Sequence, residues 1–404
     1  MRIADIITGT VEKIVYGGNG LIRHNNFVIF VTGVAPGEMV RVQIIQMKRS
    51  YAVAELCAVV ESSPARIEPN CRIADGSGNA IRVPGCVYDH LTYAAEVAVK
   101  QEQLLEFVQY MPGATDAEIL PPFPSPRELH YRNKLSLHTS SKKGSVELGY
   151  KEELSHNIVD LPACPLACDP INEKLHDIRS SAEFRKLPDN ATVTIRHTIA
   201  DGILWWVNRP TAKSWITEES PIGALRVSND GFYQTNPEVS HALTLTLTGW
   251  YQQSPTPNIL DLYCGVGLFG LACMQAGGTR LTGLESGKRA VIAARHNASQ
   301  LGVNANFQVR ELGKAPLNLQ QYTQDLAQTT CIVDPPRAGM EKSLSQTLAS
   351  SSVPRIIYVS CNPSTLQRDL KILVVEGGYT IRRVQTFDMF PRTAHFETIV
   401  ELSL

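Results

Sequence analysis

The chain has 404 residues, enough at roughly 100–200 per domain for two to four domains, which excludes a peptide hormone or a lone binding module. With 43% hydrophobic and 19% charged residues it has the composition of an ordinary globular protein, and no apolar run approaches the ~20 residues of a membrane span. Lys+Arg of 38 against Asp+Glu of 39 leaves a net charge of −1, so nucleic acid must be met by local patches and not by a chain-wide basic field.

The N-terminus, Met-Arg-Ile-Ala-Asp-Ile-Ile-Thr-Gly-Thr, lacks the continuous apolar stretch of a secretory signal. The nine cysteines are therefore expected in a reducing cytoplasm, unpaired. Residues 1–62 read as short strands split by Gly17-Gly18-Asn19-Gly20, Gly33 and Pro36-Gly37, among them Asn26–Val31 and Val40–Ile44. Short strands at this spacing predict a small closed barrel. Gly9-Thr10-Val11-Glu12-Lys13-Ile14, followed by Tyr16–Gly20 and Val34-Ala35-Pro36-Gly37-Glu38, resembles a TRAM domain, an OB-like barrel that binds RNA.

Residues 63–225 form a central, mostly β segment. A helix is predicted from Thr92, with Val97, Leu104, Leu105 and Val108 on one face and a stop at Pro112-Gly113. After the Pro121–Pro126 connector, Tyr131–His138 alternates like a strand, and Asp201-Gly202 marks a hairpin between Ala191–Ala200 and Ile203–Asn208. Trp205, Trp206, Arg132 and Lys134 are candidates for stacking on bases or meeting phosphates, although alternating strands also carry such residues as core and solvated face. Over 226–404 the period changes. Strand-like Ile259–Leu262, Leu281–Glu285, Phe307–Val309, Cys331–Asp334, Ile356–Ser360 and Ile381–Phe387 alternate with helical stretches such as Arg289–Gln300 and Ser364–Glu376. That alternation predicts a doubly wound, Rossmann-like α/β domain. A last run, Phe396–Leu402, follows without a helix and reads as an added antiparallel strand.

Two constellations carry chemistry. Asp261-Leu262-Tyr263-Cys264-Gly265-Val266-Gly267-Leu268-Phe269-Gly270 sets a glycine loop between a strand and a helix, and Glu285 ends the next strand. Glycines let backbone approach a nucleoside ligand, and a carboxylate at that spacing can accept from ribose hydroxyls. Gly265, Gly267 and Gly270 also spell a dinucleotide fingerprint, which keeps a nicotinamide oxidoreductase in view. Asp261, suited to an ammonium, favours S-adenosylmethionine. Asp334-Pro335-Pro336-Arg337 and Ser360-Cys361-Asn362-Pro363 end two neighbouring strands, where ligands of such sheets bind. Asp-Pro-Pro alone would suit methylation of a base amine, but Arg337 stands where an aromatic residue is usual. Cys361, before a helix start, is expected to gain thiolate character from it, whereas Cys57, Cys264, Cys273 and Cys331 read as buried, inert thiols.

Together with Gly231-Phe232-Tyr233-Gln234-Thr235-Asn236 and Phe390-Pro391-Arg392-Thr393-Ala394-His395-Phe396-Glu397, these motifs resemble the class I RNA (uracil-5-)-methyltransferase family, in its TRAM-bearing 23S ribosomal branch. The resemblance implies that Gln234, Tyr263, Glu285 and Asp334 line an S-adenosylmethionine site, that Cys361 is the nucleophile and that Glu397 is the base. Carbon 5 of uracil is too weak a nucleophile to take a methyl group unaided. Addition of a thiolate at carbon 6 gives an enolate that can, and a carboxylate then removes the carbon 5 proton. The target uridine must be flipped out or single-stranded. The implied substrate is 23S rRNA, with tRNA as the alternative and with no membrane or obligate protein partner; a catalytically dead RNA-binding scaffold is the remaining reading. Relatives in this branch carry an iron–sulfur cluster on Cys-x5-Cys-Gly-Gly-Cys and a later Cys-Pro. Here Cys71, Cys86 and Cys164 occupy three of those places, an insertion over Arg72–Gly85 replaces the middle ligand, and Cys168 or His90 could supply the fourth.

Overall fold

The computed structural model describes every residue except 75–79, 112, 115, 143–144, 153–156, 211–214 and 315–316. Strands β1 (Ile6–Ile14), β2 (Gly20–His24), β3 (Phe27–Val31), β4 (Met39–Met47) and β5 (Tyr51–Glu61) close into a barrel of order β1-β2-β3-β5-β4. Alternation drives the closure. Ile7, Val11, Ile22, Ile29, Val31, Val40, Val42 and Ala54 point inward and form one core. Cys57 does not follow the expectation of burial: two residues on from Glu55, it shares that residue's outward face and is exposed.

Between barrel and α/β domain come hairpin β6 (Arg72–Ala74) and β7 (Ala80–Arg82), helix α1 (Tyr93–Gln109) and the short strand β8 (Glu118–Ile119). Thr92 caps α1 by accepting from the Ala95 amide at 3.4 Å, and Val99, Leu104 and Val108 make its buried side. The helix ends at Gln109, and the Pro112 expected to stop it lies outside the described residues. Strands β9 (Lys134–Lys142), β10 (Ser145–Lys151), β11 (Ile158–Asp160), β12 (Thr192–Thr198) and β13 (Gly202–Val207) form a sheet of order β11-β10-β9-β12-β13, backed by α2 (Asp169–Ser180). Hairpin β14 (Trp215–Ser220) and β15 (Gly223–Ser228) leads into α3 (Pro237–Gln253).

The α/β domain alternates β16 (Asn258–Leu262), α4 (Leu268–Gln275), β17 (Arg280–Glu285), α5 (Lys288–Gln300), β18 (Ala305–Val309), β19 (Thr329–Val333), α6 (Lys342–Ala349), β20 (Arg355–Ser360), α7 (Pro363–Val375), β21 (Thr380–Phe387) and β22 (Glu397–Ser403). Every residue of β16, β19 and β20 is buried, as expected for parallel strands covered on both faces. The sheet runs β18-β17-β16-β19-β20-β22-β21-β8. Strand order reverses between β16 and β19, which opens a crevice at their carboxyl ends. The last strand is antiparallel, and it inserts between β20 and β21 instead of adding at an edge.

Helix α1 grips the loop joining β21 to β22 through a fully buried charge cluster. Lys100 Nζ lies 2.7 Å from both Glu96 Oε1 and Asp388 Oδ1 and 3.2 Å from the Phe390 carbonyl, and Glu96 also accepts from the Arg392 amide at 2.7 Å. Burial alone would lower the Lys100 ammonium, but Asp388 and Glu96 outweigh it and hold Lys100 above its usual range. Removing the cation as Lys100→Met is expected to cost about 3–5 kcal/mol, the usual loss when a buried pair is broken. Urea unfolding should report this as a lower midpoint at unchanged slope. Burial already pushes the Glu96 carboxyl up, so the loss should be present at neutral and alkaline pH and shrink as acid protonates Glu96, since a neutral acid needs no cation.

Candidate active site

Four strand ends converge on the crevice. After β16 the chain turns sharply, with Tyr263 at φ +62° and Gly267 at φ +90°. A tyrosine in the left-handed region is strained and persists only where the surroundings enforce it. Gly270 follows on α4: a Cβ there would sit 2.7 Å from Asp261 Oδ2, the atom that accepts from the Gly270 amide at 3.0 Å. The other oxygen, Asp261 Oδ1, is buried without a partner. Burial, and then Asp334 and Glu285 against the single Gly270 amide, push the Asp261 carboxyl up to about 8. An orphaned carboxylate oxygen of this kind awaits a cationic or donor ligand. Glu285, ending β17, accepts from the Gly265 amide at 3.2 Å and the Gly287 amide at 2.6 Å, so it braces the glycine loop.

Asp334 follows β19, its amide bonded to the Leu262 carbonyl at 3.3 Å. Burial, then Glu285, raises its carboxyl to about 7. The Asn362 side chain caps α7 by accepting from the Ser364 amide at 3.1 Å, while its Nδ2 donates to the Arg337 carbonyl at 3.0 Å. Thr365 Oγ1 donates to that same carbonyl at 3.3 Å, so the two prolyl motifs are stitched together. Gln234 is buried in the loop before α3; two residues on, Asn236 caps that helix and donates to Ser125 Oγ at 3.0 Å.

Cys361 and Glu397 meet through strand pairing. Strands β20 and β22 pair antiparallel with Ser360 opposite Thr398, so the next position on that register sets Cys361 opposite Glu397. Glu397 is 4% exposed, and burial, then Asp334, hold its carboxyl well above the usual range against the pull of Arg337. Cys361 departs from the sequence expectation. Its thiol is pushed up to about 12, because burial and the carboxylates of Glu397 and Asp334 outweigh Arg337 and the start of α7.

A family model for tRNA (uracil-5-)-methyltransferases matches residues 219–404, and a TRAM domain model matches residues 6–57. An uncharacterized RNA methyltransferase of Bdellovibrio bacteriovorus is 30% identical over 97% of this chain and 93% of its own length. The chain belongs to the RNA (uracil-5-)-methyltransferase family. A 23S rRNA (uracil(1939)-C(5))-methyltransferase of Bordetella parapertussis is 27% identical, covering 96% of this chain and 91% of its own. The crystal structure of Pyrococcus abyssi tRNA (uracil-54, C5)-methyltransferase in complex with S-adenosyl-L-homocysteine superposes with a TM-score of 0.74 at 23% identity, over 98% of this chain and 100% of that one. This methyltransferase therefore shares that enzyme's fold. The nicotinamide oxidoreductase that the glycine fingerprint kept in view is set aside by the family match.

The cysteine set does not fit an iron–sulfur cluster. Cys71 and Cys86, expected unpaired, are joined as a disulfide, because β6 and β7 pair antiparallel and bring their Cα atoms to 6.5 Å. Cys164 is buried in the same apolar core with its sulfur 3.8 Å from the Tyr150 hydroxyl. The two residues proposed as a fourth ligand are engaged elsewhere: Cys168 lies 3.9 Å from His197 Nδ1, and His90 Nε2 lies 2.9 Å from the Val34 carbonyl. Four thiolates are what such clusters take, and among the described residues no group of three or more metal-binding side chains is assembled. Of the residues considered for RNA stacking, Trp206 is buried and Arg132 is spent on the Tyr131 hydroxyl at 3.3 Å, whereas Trp205 is 40% exposed with Lys174 over its ring. Sequence reasoning gave no role to His395, Tyr16 or the Glu96–Lys100–Asp388 cluster. The Glu96-x3-Lys100 spacing on a helix was the only available signal for the last.

The raised carboxyls set a pH dependence. An ammonium bound beside Asp261 and Asp334 would favour their ionised forms, against carboxyls that burial raises to about 8 and about 7. Affinity for S-adenosylhomocysteine should therefore rise from pH 6 to pH 8, by up to about tenfold per unit for each proton released, and level off above. Calorimetry in buffers of different ionisation enthalpy should show protons leaving below pH 8; a flat profile would refute this electrostatic account.

Proposed function

We propose that this enzyme makes 5-methyluridine in large-subunit ribosomal RNA through a covalent protein–RNA adduct, with Cys361 as nucleophile and Glu397 as base. The observation that carries the reading is the antiparallel register that sets Cys361 opposite Glu397. Asp334, Glu285, Tyr263 and Gln234 would hold S-adenosylmethionine, which supplies an electrophilic methyl group when bound. The orphaned Asp261 oxygen behind the glycine loop supports that assignment.

The Cys361 sulfur adds to carbon 6 of uracil and opens the 5,6 double bond, which makes carbon 5 nucleophilic. Burial and the neighbouring carboxylates hold the Cys361 thiol up, so its proton must pass to water as the sulfur adds to carbon 6. Arg337 is the cation that favours this, lowering both Cys361 and Glu397. After methylation carbon 5 carries one proton too many. Glu397, whose ionised form Arg337 favours, takes that proton as the carbon 6–sulfur bond breaks and the cysteine leaves as thiolate. The barrel over 1–62 and the central segment over 63–225 would hold the RNA loop while 226–404 carries out the chemistry, in the cytoplasm. The choice of ribosomal RNA rests on the Bordetella 23S rRNA methyltransferase, 27% identical over 96% of this chain. Mapping 5-methyluridine by mass in both RNAs from a deletion strain tests this: loss from tRNA alone would reassign the substrate.

The two substitutions are expected to fail at different steps. Cys361→Ala should bind RNA and cofactor but never methylate. Glu397→Gln should add and methylate but stall before elimination, with turnover lower by about 10²–10⁴ and a protein–RNA adduct retained on a denaturing gel. The double variant should give no adduct. Activity surviving in Cys361→Ala with no adduct in either variant would replace this mechanism with direct transfer to a base amine.

A further inference from the structure

The reacting site takes one wall from the barrel. Tyr16 lies in the turn between β1 and β2, yet its hydroxyl is 3.3 Å from His395 Nδ1, and its ring stands edge-on to Phe396 at 6.0 Å and Phe107 at 6.2 Å. His395 is two residues from Glu397 in sequence, on the strap that enters β22. The turn is locked on three sides. Lys13 Nζ lies 2.5 Å from Glu106 Oε1, Gln103 on α1 donates to the Ile14 carbonyl at 3.1 Å, and Gly18 packs so closely on Val87 that a Cβ would sit 2.7 Å from that side chain, at a φ of +91°. Val87 in turn donates its amide to the Arg392 carbonyl at 2.8 Å, on the loop that carries His395. Barrel turn, α1 and catalytic strap are therefore one packed unit.

We infer that Tyr16 is a positioning residue for methyl transfer: its hydroxyl donates to His395 Nδ1, fixes that ring as the Nε2–H tautomer, and so sets the strap that delivers Glu397 opposite Cys361. This rests on the roles assigned above to Cys361 and Glu397. A phenol is the better donor of the pair and a neutral imidazole nitrogen the better acceptor. His395 is held neutral, lowered to about 4 by burial and then Arg337, Lys100 and Arg132. The Tyr16 hydroxyl is held protonated by burial and by its neighbours Cys361 and Glu397, against Arg337. The barrel is thus part of the catalytic assembly as well as an RNA-binding module.

The test uses the full chain, S-adenosylmethionine, and ribosomal and transfer RNA transcribed with 5-fluorouridine. Sulfur adds at carbon 6 and carbon 5 takes the methyl as the sulfonium bond breaks; with fluorine in place of the proton, elimination is blocked and the adduct persists. Tyr16→Phe, which keeps the ring, is expected to slow adduct formation and single-turnover methylation about 10–100-fold, as small displacements of reacting groups do, with RNA affinity and melting temperature unchanged. Tyr16→Ala should be at least as slow. In protein labelled with 15N-histidine, the His395 ring nitrogens should lose their single-tautomer pattern in Tyr16→Phe. An adduct formed by Tyr16→Phe at the wild-type rate, or an effect confined to RNA affinity, overturns the role of Tyr16 alone. No adduct from the wild-type enzyme on either RNA, with Cys361→Ala as reference, overturns the covalent reading beneath it.

Discussion

The pairing of β22 between β20 and β21 is the constraint on which the rest of the site depends. A strand added at an edge would have satisfied the same backbone hydrogen bonds but left Glu397 distant from Cys361. Insertion places the two side chains across a ladder, where opposite residues come within about 5 Å, and the period of two means a one-residue slip would turn Glu397 away from Cys361. That register is held from both flanks, by Ser360 opposite Thr398 on one side and Phe387 opposite Glu397 on the other.

Such a strand must be fed from a loop that arrives at a fixed height, and this explains an otherwise costly feature. Burying Lys100 with Glu96 and Asp388 gains little stability over an apolar packing of the same shape. What it supplies is directionality: an ammonium with three donors ties two carboxylates and the Phe390 carbonyl to one point. Arg392, at φ +67°, and the Tyr131 hydroxyl on the Pro391 carbonyl at 3.0 Å continue the same restraint toward His395. The central segment thus stiffens the catalytic strap.

Much of this was legible in the sequence because it rests on local rules. The barrel followed from turn residues and short strands, the α/β domain from the change of period, and the helix start at Asn362-Pro363 from cap chemistry that the structure displays. The glycine loop and the Asp334 and Cys361 motifs could be read as strand-end features. Non-local geometry was not legible. Nothing in Phe396–Leu402 says between which strands it inserts, and nothing in Tyr16-Gly17-Gly18 says that a barrel turn reaches a catalytic loop nearly four hundred residues later. The state of Cys361 was misjudged for the same reason: a helix start is visible in sequence, whereas the two carboxylates that overrule it come from other strands. The Cys71–Cys86 bond likewise depends on how β6 and β7 pair across the insertion.

The short strand β8 alters what counts as the catalytic unit. It lies far upstream of the α/β region, yet it pairs in parallel with β21 through Arg383–Glu118 and Val384–Ile119. The chain beyond it continues the cover, with Leu120 and Phe123 donating to Val384 and Thr386 and the Phe123 ring stacked on Phe387 at 5.6 Å. An open edge of a large sheet invites pairing with another chain. A polypeptide beginning at residue 226 would expose β21 as such an edge, with the Phe387 ring left uncovered, and would self-associate along it. The methyltransferase half is therefore not a separable module, and the upstream chain seals the sheet on which the chemistry is built.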